Sequence, residues 1–121
     1  MTISKDMSNC IFCKIINGKI PGNFVYRDDN VVAFHDIHPK APVHILVLPV
    51  KHIESLRVIK NEDKELMGFL MLKVSEIAEK LGIGKNGYKI VINNGEDSGQ
   101  LIFHLHIHLL GGWKEKTSWE V

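Results

Sequence analysis

The stretch that decides the fold is His104-Leu105-His106-Ile107-His108-Leu109-Leu110, in which three histidines alternate with large aliphatic residues. Successive side chains of a strand point to opposite faces. The spacing therefore predicts a strand with all three imidazoles on one face and with Leu105, Ile107 and Leu109 on the other. Because the aliphatic residues already provide a face for the core, an ordinary strand would carry Thr, Lys or Ser on its outer face. The row of imidazoles indicates a chemical function.

Imidazoles in such a row suit chemistry at a phosphate. A neutral imidazole near pH 7 is a nucleophile and a hydrogen-bond donor, and several rings around one anion can share attack, charge stabilisation and proton transfer. The loop before the histidines, residues 93–100, is rich in residues that tolerate unusual backbone angles. Its peptide N–H groups and the amides of Asn93 and Gln100 could converge on the same phosphate oxygens.

A catalytic metal is the competing interpretation of the histidine row. Histidines at i and i+2 on one strand, together with a third ligand, match a known catalytic zinc geometry. The carboxylates nearest in sequence, Glu96 and Asp97, lie on the preceding loop and not within the strand. The residues alone leave both interpretations open.

Length, composition and charge restrict the class of protein. The chain has 121 residues, of which 45% are hydrophobic, enough for one domain with a single core. We expect residues 1–9 to form a flexible tail and residues 10–121 to form one domain. The net charge is +1, and the sequence has no Lys/Arg run of the kind that binds nucleic acid or an anionic membrane. Small ligands are therefore the expected partners.

The cysteines and the first residues indicate the compartment. Cys10 and Cys13 are too close in sequence to staple a fold with a disulfide, and a thiol pair suits a reducing compartment. Residues 1–7 have no apolar signal core, and the longest apolar stretch, residues 41–50, is interrupted by two prolines and a histidine. We expect a soluble, cytoplasmic protein that does not act at a membrane.

Periodicity and turn residues predict an α+β domain. Five strands are expected in a mostly antiparallel sheet: a hairpin around Asp28-Asp29-Asn30, then residues 43–49, residues 88–92 and the histidine strand. A short helix is expected within residues 10–17, and a long helix, capped by Asn61, continues to Gly82. The result is a domain with one sheet, one long helix and one short helix.

The histidine stretch, followed by Gly111 and Gly112, resembles the His-φ-His-φ-His-φ-φ signature of the histidine triad (HIT) family, in which φ is an apolar residue. Supporting segments follow the family's order along the chain: residues 11–16, 20–21, 33–37, 41–44, 51–53 and 93–100. The resemblance covers residues 10–112 and implies the HIT-like fold and a homodimer.

The Leu-Gly-Gly ending resembles the nucleotide-binding branch of that family, whose members are homodimeric purine nucleoside phosphoramidate hydrolases. The resemblance implies an enzyme that converts an adenosine 5′-phosphoramidate to AMP and an amine, without an organic cofactor. The diadenosine polyphosphate hydrolase branch usually has Pro-Arg at this point. Hydrolysis of dinucleoside polyphosphates is therefore the first alternative.

The resemblance also implies roles for particular residues. His106 would be the nucleophile that attacks the α-phosphorus and forms a nucleotidyl-histidine, which water then hydrolyses. His44 and His108 would bind the non-bridging oxygens and stabilise the developing charge. Asp36 would accept both ribose hydroxyls. The remaining nucleotide contacts would come from an apolar slot for the purine and from the loop before the histidines: Ile11, Phe12, Ile15, Phe34, Ile37, Asn93, Gly99 and Gln100.

The two cysteines give a hypothesis for a second site. Two thiolates two residues apart, joined by two imidazoles, would complete a closed tetrahedral zinc shell, and His52 and His104 are the candidates. Two buried free thiols are the alternative. Some histidine triad proteins with this Cys-x-x-Cys have such a site, so the resemblance implies a structural zinc ion and makes the first triad histidine a ligand.

Two features depart from the family pattern. Leu101 follows the Gly-Gln pair, where the nucleotide-binding branch commonly has Ser, and leucine cannot donate to the phosphate or to the leaving nitrogen. A purine-nucleotide-binding protein with weak catalysis is thus a further alternative. Family dimers can send a C-terminal Trp toward the partner's site, which makes Trp119 the candidate here. His35 and His38 lie outside the triad pattern and are expected at the surface.

Overall fold

Two helices and five strands form the fold in the computed structural model, which describes residues 9–116. The expected tail, apart from residue 9, and Trp119 lie outside the described residues. Short 3₁₀ turns occur at Leu56–Val58, Asn61–Asp63 and Glu96–Ser98. The predicted α+β class is confirmed. The main elements are, in chain order, α1 (Ile11–Ile16), β1 (Phe24–Arg27), β2 (Val31–His35), β3 (Val43–Pro49), α2 (Lys64–Lys80), β4 (Tyr88–Val91) and β5 (Ile107–Gly111).

The strands form one sheet in the order β1-β2-β3-β5-β4, with every neighbouring pair antiparallel. The predicted five-stranded sheet is therefore confirmed. β5 lies between β3 and β4, so the histidine stretch enters the centre of the sheet. Its register places Leu110 opposite His44 and His108 opposite Leu46. Because alternate residues share a face, His44 and His108 are diagonal neighbours on one face.

The other face of the sheet packs against α2. The helix is amphipathic, with buried residues three to four positions apart along one side. It ends at Lys80 with Leu81 as its C-cap, after which Gly82 adopts a φ of 76°, a left-handed conformation that favours glycine. The joint core consists of Val31, Ala33, Ile45, Val47, Leu70, Val74, Ile77, Ala78, Ile83, Ile107 and Leu109.

The start of α2 differs from the prediction. Asn61 does not cap it, because residues 61–63 form a 3₁₀ turn and α2 begins at Lys64. The carboxylate of Asp63 accepts hydrogen bonds from the Lys60 backbone N–H at 3.0 Å and from Lys51 Nζ at 2.6 Å. These bonds tie the turn to the end of β3 and explain why the helix starts later.

The α1 side of the sheet holds a second apolar cluster and, beyond it, the histidines. The cluster consists of Cys10, Phe12, Cys13, Ile15, Ile16, Val32, Phe34, Leu46 and Leu48. The same sheet face continues to His44 on β3 and His108 on β5.

Among the described residues, no helix has both the length and the apolar character needed to cross a bilayer.

The histidine strand is shorter than predicted. β5 begins at Ile107, so His108 is the one triad histidine within it, and residues 104–106 precede it without pairing to a neighbouring strand. There the Leu105 N–H donates to the Ile53 carbonyl at 2.6 Å instead of to a neighbouring strand. The three imidazoles nevertheless lie on the α1 side of the sheet, as predicted: Phe12 contacts the rings of His104 and His106, and His106 contacts His108. His104 is drawn toward the cysteines, while His106 and His108 lie together.

Candidate active site and metal-ligand cluster

A cavity of about 1150 Å³ opens on the α1 side of the sheet. It lies between α1, the ends of β2, β3 and β5, and the loop of residues 93–102. The structure brings together here every residue proposed for catalysis or nucleotide binding except Gln100. These lining residues are Ile11, Phe12, Ile15, Phe34, Asp36, Ile37, His44, Asn93, Gly99, His106 and His108.

His44 and His108 form a hydrogen-bonded pair in this cavity. The Lys40 backbone N–H donates to His44 Nδ1 at 3.0 Å, so the proton of the neutral His44 ring is on Nε2. That nitrogen lies 2.9 Å from Nδ1 of His108, which accepts the hydrogen bond. The proton of the neutral His108 ring is therefore on Nε2. The pair ends in an N–H donor suited to a phosphate oxygen.

His106 has the opposite tautomer. Its Nδ1 lies 2.7 Å from the backbone carbonyl of His104, and because a carbonyl can only accept, Nδ1 carries the proton. The lone pair is then on Nε2. The ring is 8% exposed, and its centroid lies 5.0 Å from those of Phe12 and His108 in edge-on contacts. This arrangement suits a nucleophile held in one orientation.

Burial keeps these rings neutral. It lowers the pKa of His44 and of His106 below the ordinary 6.5, and it lowers the pKa of His108 to about 4. The negative charge of Asp36 opposes the pKa shift of each ring without reversing it. At neutral pH the site therefore presents one imidazole lone pair beside a hydrogen-bonded donor pair.

Asp36 follows β2 and is fixed from two sides. Its N–H donates to the His44 carbonyl at 3.0 Å, and its Oδ1 accepts from the His38 N–H at 2.8 Å. Its Oδ2 lies 3.5 Å from His44 Nε2. The side chain remains 19% exposed, so the carboxylate can still accept hydroxyl groups from a ligand. His35 and His38 are exposed, as predicted, and both lie on the cavity rim.

Asp36, His44 and His108 could also hold a metal ion, because one ligand atom from each lies within 4.8 Å of the others. The carboxylate of this set is thus neither Glu96 nor Asp97, the two considered from the sequence. The two ring nitrogens already share a hydrogen bond, whose direction the Lys40 N–H sets. This geometry favours a neutral imidazole pair over two metal ligands.

Gln100 does not reach the cavity. The side chain is 2% exposed and satisfied internally: Oε1 accepts from the Gly95 N–H at 2.7 Å, and Nε2 donates to the carbonyls of Glu54 and Ile102 at 2.8 and 3.2 Å. The expectation that its amide faces a phosphate is therefore not met. Gln100 instead holds the loop closed across Gly95.

The rest of this loop lies at the cavity mouth. Asn93 Nδ2 donates to the Ser98 carbonyl at 2.8 Å, so part of its amide also stabilises the loop. Gly99 has a φ of 91°, a left-handed conformation that turns the backbone beside the cavity. Leu101 also lines the mouth and is 64% exposed.

Cys10, Cys13, His52 and His104 come together behind the active site, as predicted. Their ligand atoms all lie within 4.8 Å of one another. Nδ1 of His104 is 3.5 Å from both sulfur atoms, and Nδ1 of His52 is 3.3 Å from Cys13 Sγ. Both cysteines are free and buried. The hypothesis of a four-ligand cluster is supported by residues from three separate parts of the chain.

The donor set and its spacing fit a tetrahedral metal. Zinc bonds of about 2.3 Å to sulfur and about 2.0–2.1 Å to nitrogen give sulfur–nitrogen edges of about 3.6 Å, close to those observed. His104 Nε2 donates to the Pro49 carbonyl at 2.7 Å, which leaves the Nδ1 lone pair facing the sulfurs. Burial, together with the neighbouring Cys10, raises the pKa of the Cys13 thiol to about 12. A bound cation would stabilise the thiolate that this environment otherwise disfavours.

Sequence reasoning missed Lys40. The functional group of Lys40 is its backbone N–H, which selects the tautomer of His44. The residue also lines the cavity. The signal was the turn-forming segment His38-Pro39-Lys40, which must fold back for a backbone group to reach the strand that follows. Because every residue except proline has a backbone N–H, the residue type does not show which N–H will act as a donor.

Comparison with known proteins gives the family. The HIT domain family model matches residues 17–115. An uncharacterised HIT-like protein of Synechocystis sp. is 50% identical over 102 residues, 84% of this chain and 89% of that protein. The structure of a HIT family hydrolase from Legionella pneumophila is 39% identical with a TM-score of 0.86, covering 91% of this chain and 98% of that chain. A histidine triad nucleotide-binding protein from Candida albicans is 30% identical with a TM-score of 0.76, covering 90% and 85%. With this match and the triad in place, the chain belongs to the HIT family.

Proposed function

We propose that this protein is a nucleotide hydrolase that cleaves purine nucleoside 5′-phosphoramidates through a nucleotidyl-His106 intermediate. The observation that carries the proposal is the 2.7 Å bond from His106 Nδ1 to the His104 carbonyl, because it leaves Nε2 of this cavity-lining ring unprotonated. The similarity to a HIT family hydrolase from Legionella pneumophila and to a histidine triad nucleotide-binding protein from Candida albicans supports it.

Two displacements at phosphorus complete the reaction. His106 Nε2 attacks the α-phosphorus, the phosphorus–nitrogen bond breaks, and the amine leaves after taking one proton from solvent. Water then attacks the same phosphorus, the bond to Nε2 breaks, and AMP is released while one proton from the water returns to solvent. His108 Nε2–H, oriented through His44, donates to a non-bridging oxygen where negative charge develops. Both steps use the same donor pair.

The rest of the cavity matches a purine nucleotide. Phe12, Ile15 and Phe34 offer buried apolar surface for a flat base, and Phe12 and Phe34 meet edge-on with centroids 5.5 Å apart. Asp36 supplies carboxylate acceptors for the ribose hydroxyls. The four-ligand cluster would bind a structural zinc ion, whose chemistry is limited to joining the segments that carry its ligands.

We also propose a homodimer. In the part of the chain that the structure describes, no strand pairs with the outer edge of β4, and its Ile90 is 42% exposed. Natural proteins seldom leave such an edge uncovered. Light scattering of the purified protein at several concentrations tests this point.

The exposed Leu101 favours one second candidate, a nucleotide-binding protein with weak turnover. A leucine at the cavity mouth provides no hydroxyl for the leaving nitrogen, whereas the binding residues are intact. Such a protein would bind AMP and hydrolyse almost nothing.

Turnover of an adenosine 5′-phosphoramidate beside a diadenosine polyphosphate, followed by chromatography, tests the proposal. We expect faster cleavage of the phosphoramidate by the wild type and a loss of several orders of magnitude in His106→Ala, because covalent catalysis depends on that nitrogen. An alkaline quench should trap a nucleotidyl adduct, located at His106 by mass spectrometry. His35→Ala, which removes an exposed rim imidazole outside the hydrogen-bonded pair, is the matched control.

The other outcomes separate the alternatives. Preference for the polyphosphate would support the diadenosine polyphosphate hydrolase activity. AMP binding without turnover of either substrate would support the binding protein. A mild loss in His106→Ala would contradict the assigned nucleophile.

A further inference from the structure

We propose that the four-ligand cluster positions the nucleophile, so that metal occupancy controls the orientation of His106 and with it the rate of the reaction. This inference rests on the proposed function for its kinetic readout only. Three separate connections between the cluster and His106 support it.

The first connection runs through His104 itself. Its side chain presents Nδ1 to the two cysteine sulfurs at 3.5 Å, while its backbone carbonyl accepts the His106 Nδ1–H at 2.7 Å. One residue is therefore a metal ligand through its ring and the orienting partner of the nucleophile through its backbone. A displacement of the ligand also displaces the acceptor that defines the His106 tautomer.

The second connection runs through α1. Cys10 and Cys13 lie at the start of this helix, and the Cys13 N–H donates to Cys10 Sγ at 3.4 Å. Phe12 lies between them in sequence and contacts the His106 ring edge-on, with centroids 5.0 Å apart. The helix that provides two ligands therefore also provides the wall that restrains the nucleophile.

The third connection runs through the segment after β3. Ile53, next to the ligand His52, accepts the Leu105 N–H at 2.6 Å. Leu105 is the residue between His104 and His106, and this segment lies outside the strand ladder because β5 begins at Ile107. The backbone that carries the nucleophile is thus held by bonds to neighbours of the ligands and not by the sheet.

These contacts predict a functional consequence of metal removal. Without the cation, the segments that carry the four ligands are no longer joined. The backbone of residues 104–106, which is not paired with a neighbouring strand, is then free to shift. Loss of partners that orient a reacting group typically costs about 10- to 100-fold in activity. Phe34 on β2 and Asp36 after it lie outside every segment that carries a ligand, so part of the contact with AMP survives metal removal and AMP affinity should fall less than kcat.

The experiment compares the metal-loaded protein with protein stripped by a chelator and reloaded with Zn²⁺ or Co²⁺. Absorption of the Co²⁺ form reports tetrahedral thiolate coordination independently of activity. NMR of ¹⁵N-histidine-labelled protein reports the His106 Nδ1–H proton, and calorimetry reports AMP binding. We expect stripping to weaken or abolish the Nδ1–H signal and to reduce kcat about 10- to 100-fold, with a smaller fall in AMP affinity.

Two variants isolate the cluster. His52→Ala removes one ligand without touching the His104–His106 bond and should reproduce the effect of stripping. Lys51→Ala, its neighbour in sequence, pairs with Asp63 instead of the cluster and should retain the NMR signal and the rate. A stripped, folded protein with an unchanged Nδ1–H signal and kcat would overturn the proposal, as would failure of the four residues to bind Zn²⁺ or Co²⁺.

A further comparison covers the case in which stripping unfolds the chain. Cd²⁺ replaces Zn²⁺ in the folded protein, and its larger radius should change the His106 Nδ1–H shift. Identical shifts in both metal forms would overturn the coupling. If the signal depends on the metal but no phosphoramidate is cleaved, the coupling stands and the hydrolase assignment fails. If the phosphoramidate is cleaved but the His106 Nδ1–H signal does not depend on the metal, the hydrolase assignment stands and the coupling fails.

Discussion

Nε2 of His44 and Nδ1 of His108, on adjacent strands, share a 2.9 Å hydrogen bond whose direction is set outside the pair. The Lys40 N–H occupies Nδ1 of His44, and this fixes the tautomers of both rings. Replacing His44 would therefore remove one imidazole and also release the tautomer of the other. The two rings are best treated as one donor group, and their single-variant effects should not be additive.

The pH profile tests the neutral state of the rings. Burial lowers the pKa of His108 to about 4, and those of His44 and His106 are also lowered from 6.5. As pH falls, these rings should stay neutral below the range in which an exposed histidine protonates. We expect the acid limb of kcat/KM for the phosphoramidate to be centred below the ordinary 6.5 of an exposed histidine. Rates corrected for uncatalysed hydrolysis provide the measurement, and an acid limb centred at 6.5 would contradict it.

Gln100 should contribute to stability rather than to phosphate binding. Gln100→Ala leaves the Gly95 N–H and the Glu54 carbonyl without their partner, and an unsatisfied buried group costs about 1–3 kcal/mol. We expect the free energy of unfolding in urea to fall by about that amount. Gln100→Glu keeps the acceptor but places a buried carboxylate against the Glu54 and Ile102 carbonyls, so it should cost at least as much as Gln100→Ala. Unchanged stability together with a selective loss of AMP affinity would restore the phosphate-binding role expected from the sequence.

Asp36 should recognise the ribose. Asp36→Asn keeps an oxygen that accepts the His38 N–H, so the turn survives while the charge is lost. Because hydrogen bonds to charged groups contribute about 1.5–3 kcal/mol, the wild type should bind AMP at least about 10-fold more tightly than 2′-deoxy-AMP. In the variant we expect a difference of less than about threefold. Calorimetry with both ligands gives the ratio, with Asp29→Asn in the exposed turn as the control. Equal discrimination in the wild type and in Asp36→Asn would remove Asp36 from this role.

The sheet was accessible from sequence because the pattern and the fold agree there. Val31 to Phe34 and residues 43–49 combine strong strand formers with a turn, and both segments form the expected strands. The predicted strand was too long at His104, whose ring faces Cys10 and Cys13, more than 90 residues away in sequence, and whose backbone lies outside the sheet. Gln100 was misplaced for a similar reason: an amide in a Gly-rich loop suits a phosphate equally well, and its burial is decided by tertiary contacts with Glu54. Local periodicity predicts helices and strands, whereas the position of a side chain that contacts another element can be known only from the folded structure.

Leu101 provides the sharpest test of catalytic capacity. Its side chain lines the cavity mouth beside Gly99 and is 64% exposed, so a smaller polar residue would fit without disturbing the core. Leu101→Ser adds a hydroxyl where the leaving nitrogen departs, and we expect kcat for the phosphoramidate to rise about 10-fold or more, since a positioned proton donor contributes strongly to such steps. Leu101→Ala removes the same bulk without adding a donor and should leave the rate near that of the wild type. Equal increases in both variants would show that the leucine limits access instead of lacking a hydroxyl. No increase in Leu101→Ser would mean that the proton reaches the amine by another route, for which the next candidate is the His108 Nε2–H that the hydrogen bonds of the site define.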